Sequence, residues 1–262
     1  MTNTPSGTNK VRVTLNNSVA EIIVDNPPAN TWDLESLNDL TLAITSLNQD
    51  PAIVALVISG QGKKFFSAGA DLKQFSEGVK AKSKVVAEAF GQAFEALAGF
   101  KGVAIAAVNG YAMGGGLEFA LACDIRIFES QVIVALPEAR VGLLPCAGGT
   151  QRLAWLVGEA WASRMILCGE QLDVHQAEKI GLAQEVVATG DALEQARTLA
   201  QKVSRQSPDA VFACKRLLTA PREAAISQGL AAERKDFVDL IGRSNQLEGT
   251  RAFLEKREPQ WQ

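Results

Sequence analysis

Two carboxylates stand in surroundings that could put them to work. Glu118 ends the run Gly114–Gly115–Gly116–Leu117–Glu118 and is followed by Phe119, Ala120, Leu121 and Ala122. A lone charge in the first turn of an apolar helix can simply complement the positive end of the helix dipole. It can also be a carboxyl whose pKa is moved by apolar company toward the range where proton transfer is useful. Glu138 follows twenty residues later, at the end of a β-rich run in "VALPEARVGLLP". It is either a loop carboxylate paired with Arg140 or the partner of Glu118 in acid–base work. In the second case one carboxyl is ionised and acts as base, while the other holds or relays a proton. Sequence spacing alone does not bring the two together.

The glycines suggest what the carboxyls would act beside. Three glycines between a strand and a helix let backbone approach a ligand closely. The unpaired N–H groups of a helix start attract negative charge, whether a phosphate or the oxygen of a polarised carbonyl. A second loop of this type lies in "FSAGADLKQF", where Ser67, Ala68, Gly69 and Ala70 are small and Asp71 reads as a helix cap. N–H donors from two such loops could together hold an oxyanion.

Competing chemistries fail on residue type. Lys63 in "GQGKKF" would need glycine at position 57 and serine or threonine at position 64 to make a phosphate-binding loop, and those positions hold Val57 and Lys64. There is no G-x-S-x-G nucleophile elbow and no G-x-G-x-x-G fingerprint after a strand. The single histidine, His175, falls in an amphipathic helical pattern and reads as a surface or boundary residue. Four cysteines (Cys123, Cys146, Cys168, Cys214) form no CxxC pair. They read as reduced, mostly buried thiols, and no metal site is expected.

The elements that must position these residues are legible in outline. With 262 residues the chain can bury a large core. "VRVTLNNSVAEIIVDNP" predicts two strands around an Asn-Asn-Ser turn. "WDLESLNDLTLAITSLNQD" carries Leu34, Leu37, Leu40, Ile44 and Leu47 at helical spacing. "AIVALVIS" is a continuous apolar run, as in a strand covered on both faces. A Gly- and Lys-rich loop, a helix over 82–98, a strand "VAIAAV" and two strands in "DIRIFE" and "QVIVAL" follow. From about residue 148 the pattern is almost wholly helical. Buried strands alternating with helices predict an α/β fold, with residues 1–9 disordered, a core over 10–200 and a helical C-terminal subdomain over 201–262.

Composition narrows the partners. Lys plus Arg is 26 against 29 Asp plus Glu, a net charge of −3, without the clustered basic face a nucleic-acid binder needs. The apolar run "KGVAIAAVNG" is far too short to span a bilayer, so no membrane partner is expected. The polar start "MTNTPSGTNK" has no signal-peptide core, which predicts a cytoplasmic protein.

Taken together, "PPANTWD", "FSAGADL", "NGYAMGGGLEFALACD", "LPEARVGLLPCAGGTQRL" and "FLEKREPQW" resemble the enoyl-CoA hydratase/isomerase, or crotonase, family, in its order and spacing from about residue 11 to the C-terminus. The resemblance implies a crotonase-like spiral of ββα turns with a helical C-terminal region that aids trimerisation, as a homotrimer or a dimer of trimers. It implies an acyl-CoA substrate, with coenzyme A part of that substrate and no separate cofactor. By motif position the oxyanion hole would be the backbone N–H groups of Ala70 and Gly115. Glu118 and Glu138 match the two glutamates of the hydratase branch, which implies syn hydration of a trans-2-enoyl-CoA. Ala68, Gly69, Asp71, Leu72 and Gly114 would line the substrate, with Asp71 capping the turn that fixes Ala70, and Lys63–Lys64 is either a contact for CoA phosphates or a solvated loop. One departure stands out: after Pro145, Cys146 occupies the glycine position of the Pro-Gly found in many hydratases. There its N–H would meet the water and its side chain would narrow the pocket, and it has no nearby histidine to make it a nucleophile. The alternative is an enoyl-CoA isomerase or another acyl-CoA reaction on the same scaffold.

Overall fold

A computed structural model describes residues 2–4, by backbone alone, and 9–262. The N-terminal segment expected to be disordered lies largely outside the described residues, except that β1 (Thr2–Thr4) pairs antiparallel with β2 (Val11–Asn16). β2 and β3 (Val19–Val24) form the expected hairpin, with Val11, Val13, Ala20, Ile22 and Val24 turned into the core. Helix α1 (Leu34–Gln49) starts at Asp33, whose carboxylate accepts from Ser36 N at 2.8 Å.

From here the chain repeats one pattern, strand, strand, helix. β4 (Ala55–Gly60) enters a large sheet and β5 (Phe65–Ser67) a small one, and α2 (Lys80–Ala98) returns. β6 (Val103–Val108) and β7 (Tyr111–Met113) do the same before the short helix α3 (Gly115–Leu121). β8 (Ile125–Glu129) and β9 (Ile133–Ala135) make the third turn. The large sheet runs β1-β2-β3-β4-β6-β8-β11, closed by β11 (Glu185–Val187), and is parallel from β3 onward. The small sheet runs β10-β9-β7-β5, with β10 (Leu172–Asp173) antiparallel and the other three parallel. β4 is buried at all six positions, which is why it reads as an unbroken apolar run.

The C-terminal half is less uniformly helical than its pattern suggests. Among its helices, α4 (Gly149–Val157), α5 (Glu159–Leu167) and α6 (Val174–Lys179), the two short strands β10 and β11 extend both sheets. Helix α7 (Ala192–Val203) buries Ala192, Ala196 and Ala200 against the outer face of the large sheet, so it belongs to the core. Residues 204–207 lead into the last two helices, α8 (Pro208–Leu240) and α9 (Ser244–Leu254). Cys123 and Cys146 are buried while Cys168 and Cys214 are exposed, so half of the thiols are buried and not most of them. No described helix is long and apolar enough to cross a membrane.

Candidate active site

The three parallel strands of the small sheet end side by side, and each hands its following loop to one cavity. β5 delivers Ala68 to Asp71, β7 delivers Gly114 and Gly115, and β9 delivers Pro137 and Glu138. The cavity has a volume of about 640 Å³ and is lined mainly by apolar side chains. Ligands favour the carboxyl ends of parallel strands because loops from successive turns converge there.

The first loop is pinned until one donor is left over. Ala68 N donates to Ala29 O at 2.9 Å, Gly69 N to Ser67 Oγ at 3.2 Å and Asp71 N to Trp32 O at 3.1 Å. Trp32 N in turn donates to Gly69 O at 2.8 Å. Ala70 N has no acceptor among the described residues. Asp71 caps the short 3-10 turn Leu72–Phe75, its carboxylate accepting from Lys73 N at 3.1 Å.

The second loop has a reason for each of its glycines. Gly114 has φ +52°, and a Cβ there would lie 2.9 Å from Glu138 Oε1. A Cβ on Gly115 would meet the Phe90 ring at 2.9 Å, and one on Gly116 would fall 2.1 Å from Ser67 O. The two loops therefore abut, and a Cβ on Gly69 would stand 3.0 Å from Gly115 N. Gly115 N, at the start of α3, has no acceptor among the described residues, as expected of a first-turn donor.

Helix α3 has only seven residues, so it is held by packing. Phe119 packs on Trp32, Phe66 and Phe94 at ring separations of 4.9, 5.5 and 5.4 Å. Aromatic pairs of this kind contribute about 0.5–1.5 kcal/mol each beyond area burial. With Phe119 fixed in the core, the preceding residue Glu118 is held against the cavity, buried.

Glu118 Oε1 accepts from Ala147 N and Gly149 N, both at 2.8 Å. Burial, then the charges of Glu233 and Glu138, push its pKa well above the ordinary carboxylate range, and the two N–H donors work against that rise. Glu138 is different. Both carboxyl oxygens are buried with no partner in the protein, and burial pushes its pKa up to about 8. Arg140 does not pair with it, because the guanidinium donates to Gly169 O at 2.9 Å.

The structure gathers Glu118, Glu138, Ala68, Ala70, Asp71, Leu72, Gly114, Gly115 and Cys146 around one cavity. Gly69 lies behind it, shaping the contact between the loops. Lys63 and Lys64 are exposed away from the lining, and Lys73 stands there instead. Cys146 N has no acceptor among the described residues. Burial and then Glu118 push the Cys146 thiol well above its ordinary range, which disfavours a thiolate. His175 is exposed. Among the described residues no cluster of three or more His, Cys, Asp or Glu could hold a metal ion.

Sequence reasoning missed a third carboxylate. Glu233, on α8, accepts from Gly148 N at 2.6 Å, Thr150 N at 2.8 Å and the Thr150 hydroxyl. Its segment "AAERKDF" is a charged string on a long helix with no local sign of burial.

The ββα spiral with this cavity has known relatives. Residues 14–262 match the profile of the family described as enoyl-CoA hydratase/isomerase. The chain is 38% identical over 248 residues to "Probable enoyl-CoA hydratase echA8" of Mycobacterium bovis, covering 93% of this chain and 94% of that one. It is 40% identical to the 2,3-dehydroadipyl-CoA hydratase of Escherichia coli over 86% of each chain. Among solved structures, Pseudomonas aeruginosa DspI superposes with a TM-score of 0.82 at 56% identity over 97% of each chain. The chain belongs to the enoyl-CoA hydratase/isomerase family and has the crotonase fold.

Proposed function

We propose that this protein is an enoyl-CoA hydratase that adds water reversibly and syn across the double bond of a trans-2-enoyl-CoA. The observation that carries this is the pair of buried glutamates on one apolar cavity, one fixed by two N–H donors and one with no partner, beside two unused backbone N–H groups. The hydratase names of the relatives support it.

The thioester oxygen sits between Ala70 N–H and Gly115 N–H. Both donors strengthen as that oxygen gains enolate charge, and such a donor is worth about 3–4 kcal/mol in other oxyanion holes. Two buried carboxylates this close resist double ionisation, so the pair keeps a proton near neutral pH. The negative charge rests on Glu118, whose Oε1 accepts from two N–H donors, and the proton on Glu138, whose carboxyl oxygens have no hydrogen-bond partner. With Oε1 held, Glu118 presents Oε2 to water. It takes a proton as the water oxygen bonds to C3, the double-bond electrons move toward C2 and the thioester, and Glu138 delivers its proton to C2. The Cys146 N–H helps place the water.

Hydration adds H to C2 and OH to C3 as the double bond is lost, with no net oxidation or reduction, so coenzyme A serves as a handle within the substrate and no further cofactor enters. The family resemblance supports a homotrimer or a dimer of trimers, and Leu217 and Leu218, 69% and 81% exposed on α8, are apolar surface that another copy could cover.

The test is absorbance loss of a short trans-2-enoyl-CoA, with Glu118→Gln and Glu138→Gln alongside. Turnover that drops by about 10²–10⁴-fold in each variant is expected. Thioester binding without absorbance loss would overturn hydration, and absorbance gained from a 3-enoyl-CoA would establish an isomerase in its place.

A further inference from the structure

We propose that Glu233 is a positioning residue for Glu118, acting through the start of α4. Four consecutive backbone N–H groups there are shared alternately between two carboxylates. Ala147 N and Gly149 N donate to Glu118 Oε1, while Gly148 N and Thr150 N donate to Glu233. Glu233 adds a third donor, the Thr150 hydroxyl. It does not line the cavity and its oxygens are engaged, so it cannot touch substrate.

The alternation couples the two carboxylates mechanically. Gly148 sits at φ +103°, and a Cβ on Gly149 would lie 2.9 Å from Glu118 Oε1, so the segment is closely fitted between them. Without Glu233, Gly148 N–H and Thr150 N–H would be left unpaired in a buried place, at roughly 1–3 kcal/mol each. The segment would turn to find acceptors and withdraw the N–H groups that aim Glu118. Glu118 would keep its charge and lose its direction.

The coupling is also electrostatic. Glu118 faces Glu138 from the β9 turn, Cys146 from the following loop and Glu233 from α8. One cation, Arg234 beside it on α8, acts on Glu233 and is itself paired with Glu95, while Arg152 under Gly148 is bonded to Glu223. Among the influences on Glu118 the charge of Glu233 outweighs either single N–H donor. Removing that charge therefore makes Glu118 a weaker base that ionises at lower pH, even as its aim loosens.

This deepens the hydratase reading and rests on it, so the test has a readout that does not need turnover. With glutamate carboxyls labelled with 13C, the Glu118 resonance is assigned by its loss in Glu118→Gln and titrated in native protein and in Glu233→Gln. A midpoint lowered by roughly one pH unit is expected, along with a kcat for trans-2-enoyl-CoA hydration reduced about tenfold or more and KM changed less than about threefold. In folded Glu233→Gln, a native midpoint together with an unchanged Glu118 carboxyl chemical shift, which reports its N–H donors, would overturn the proposal whatever the enzyme's reaction. If the native protein shows no hydration, the hydratase reading fails while the titration still decides the coupling. Should Glu233→Gln not fold, Thr150→Val and Thr150→Ser replace it. A kcat lost in the first and restored in the second is expected, and equal kcat in both would overturn the proposal.

Discussion

Glu138 Oε1 lies 2.9 Å from the point where a Cβ on Gly114 would stand, so the carboxyl fills the space the glycine leaves open. Gly114 also sits at φ +52°, in the left-handed region that favours glycine. Gly114→Ala therefore meets two obstacles at once. The backbone strain costs about 1–2 kcal/mol, which lowers Tm by a few degrees in a protein of this size. The displaced Glu138 should reduce hydration kcat about tenfold or more, because small misplacements of reacting groups cost that much. Steady-state kinetics and a melting curve on one preparation check both. A variant with native kcat would mean that the Glu138 position is not critical.

Glu138 also makes stability depend on pH. Its folded pKa of about 8 stands above the ordinary 4.5 because of burial. The folded state then binds the proton more tightly than the unfolded state, so stability is greatest below about pH 4.5 for this group and is lost as pH rises toward 8. The upper bound is on the order of 3–5 kcal/mol, at about 1.4 kcal/mol per unit. Glu138→Gln removes that loss. Denaturant unfolding at pH 5, 7 and 9 should show the variant gaining on the native protein at each step, and parallel curves would mean that Glu138 ionises freely.

Much of the architecture was legible in the sequence because burial on both faces leaves unbroken apolar runs. β4 and β6 were readable for that reason, and α1 for its regularly spaced leucines. β5, β7, β10 and β11 were not, since two or three residues carry no periodicity and each exists only by pairing with a distant partner. At the site, the glycine loops and both cavity glutamates were legible as residue types, but their convergence came from a family resemblance and not from spacing. Glu233 was invisible. Its acceptor role joins positions 85 residues apart, between Gly148 and Glu233, and its neighbours in sequence look like an ordinary solvated helix face.

Helix α8, which carries Glu233, is also fastened in its first half, by an ion pair whose lysine is buried. Lys215 Nζ donates to Asp124 Oδ2 at 2.6 Å and to Gly102 O at 2.7 Å, while Asp124 also accepts from Ala104 N at 2.8 Å. Lys215 is 8% exposed. Removing one partner of such a pair leaves an uncompensated charge and costs about 3–5 kcal/mol. Lys215→Met should destabilise by that amount in urea, and Lys215→Met combined with Asp124→Asn should recover part of it. Additive losses in the double variant would show that the two side chains act independently.

The four thiols provide a check on the site that needs no substrate. Cys146 lines the cavity, yet burial and the neighbouring carboxylates hold its thiol well above the ordinary range. Burial likewise pushes Cys123 up to about 12. Only thiolates react quickly with iodoacetamide, so both should stay unmodified at pH 8 while the exposed Cys168 and Cys214 are labelled. Peptide mass spectrometry, before and after denaturation, distinguishes the pairs. In Glu118→Gln one nearby negative charge is gone, so Cys146 should label faster than in the native protein, with Cys123 unchanged. Rapid labelling of Cys146 in the native protein would place a thiolate in the cavity, and the view of the site as one governed by two carboxyls would have to give way to a nucleophilic one.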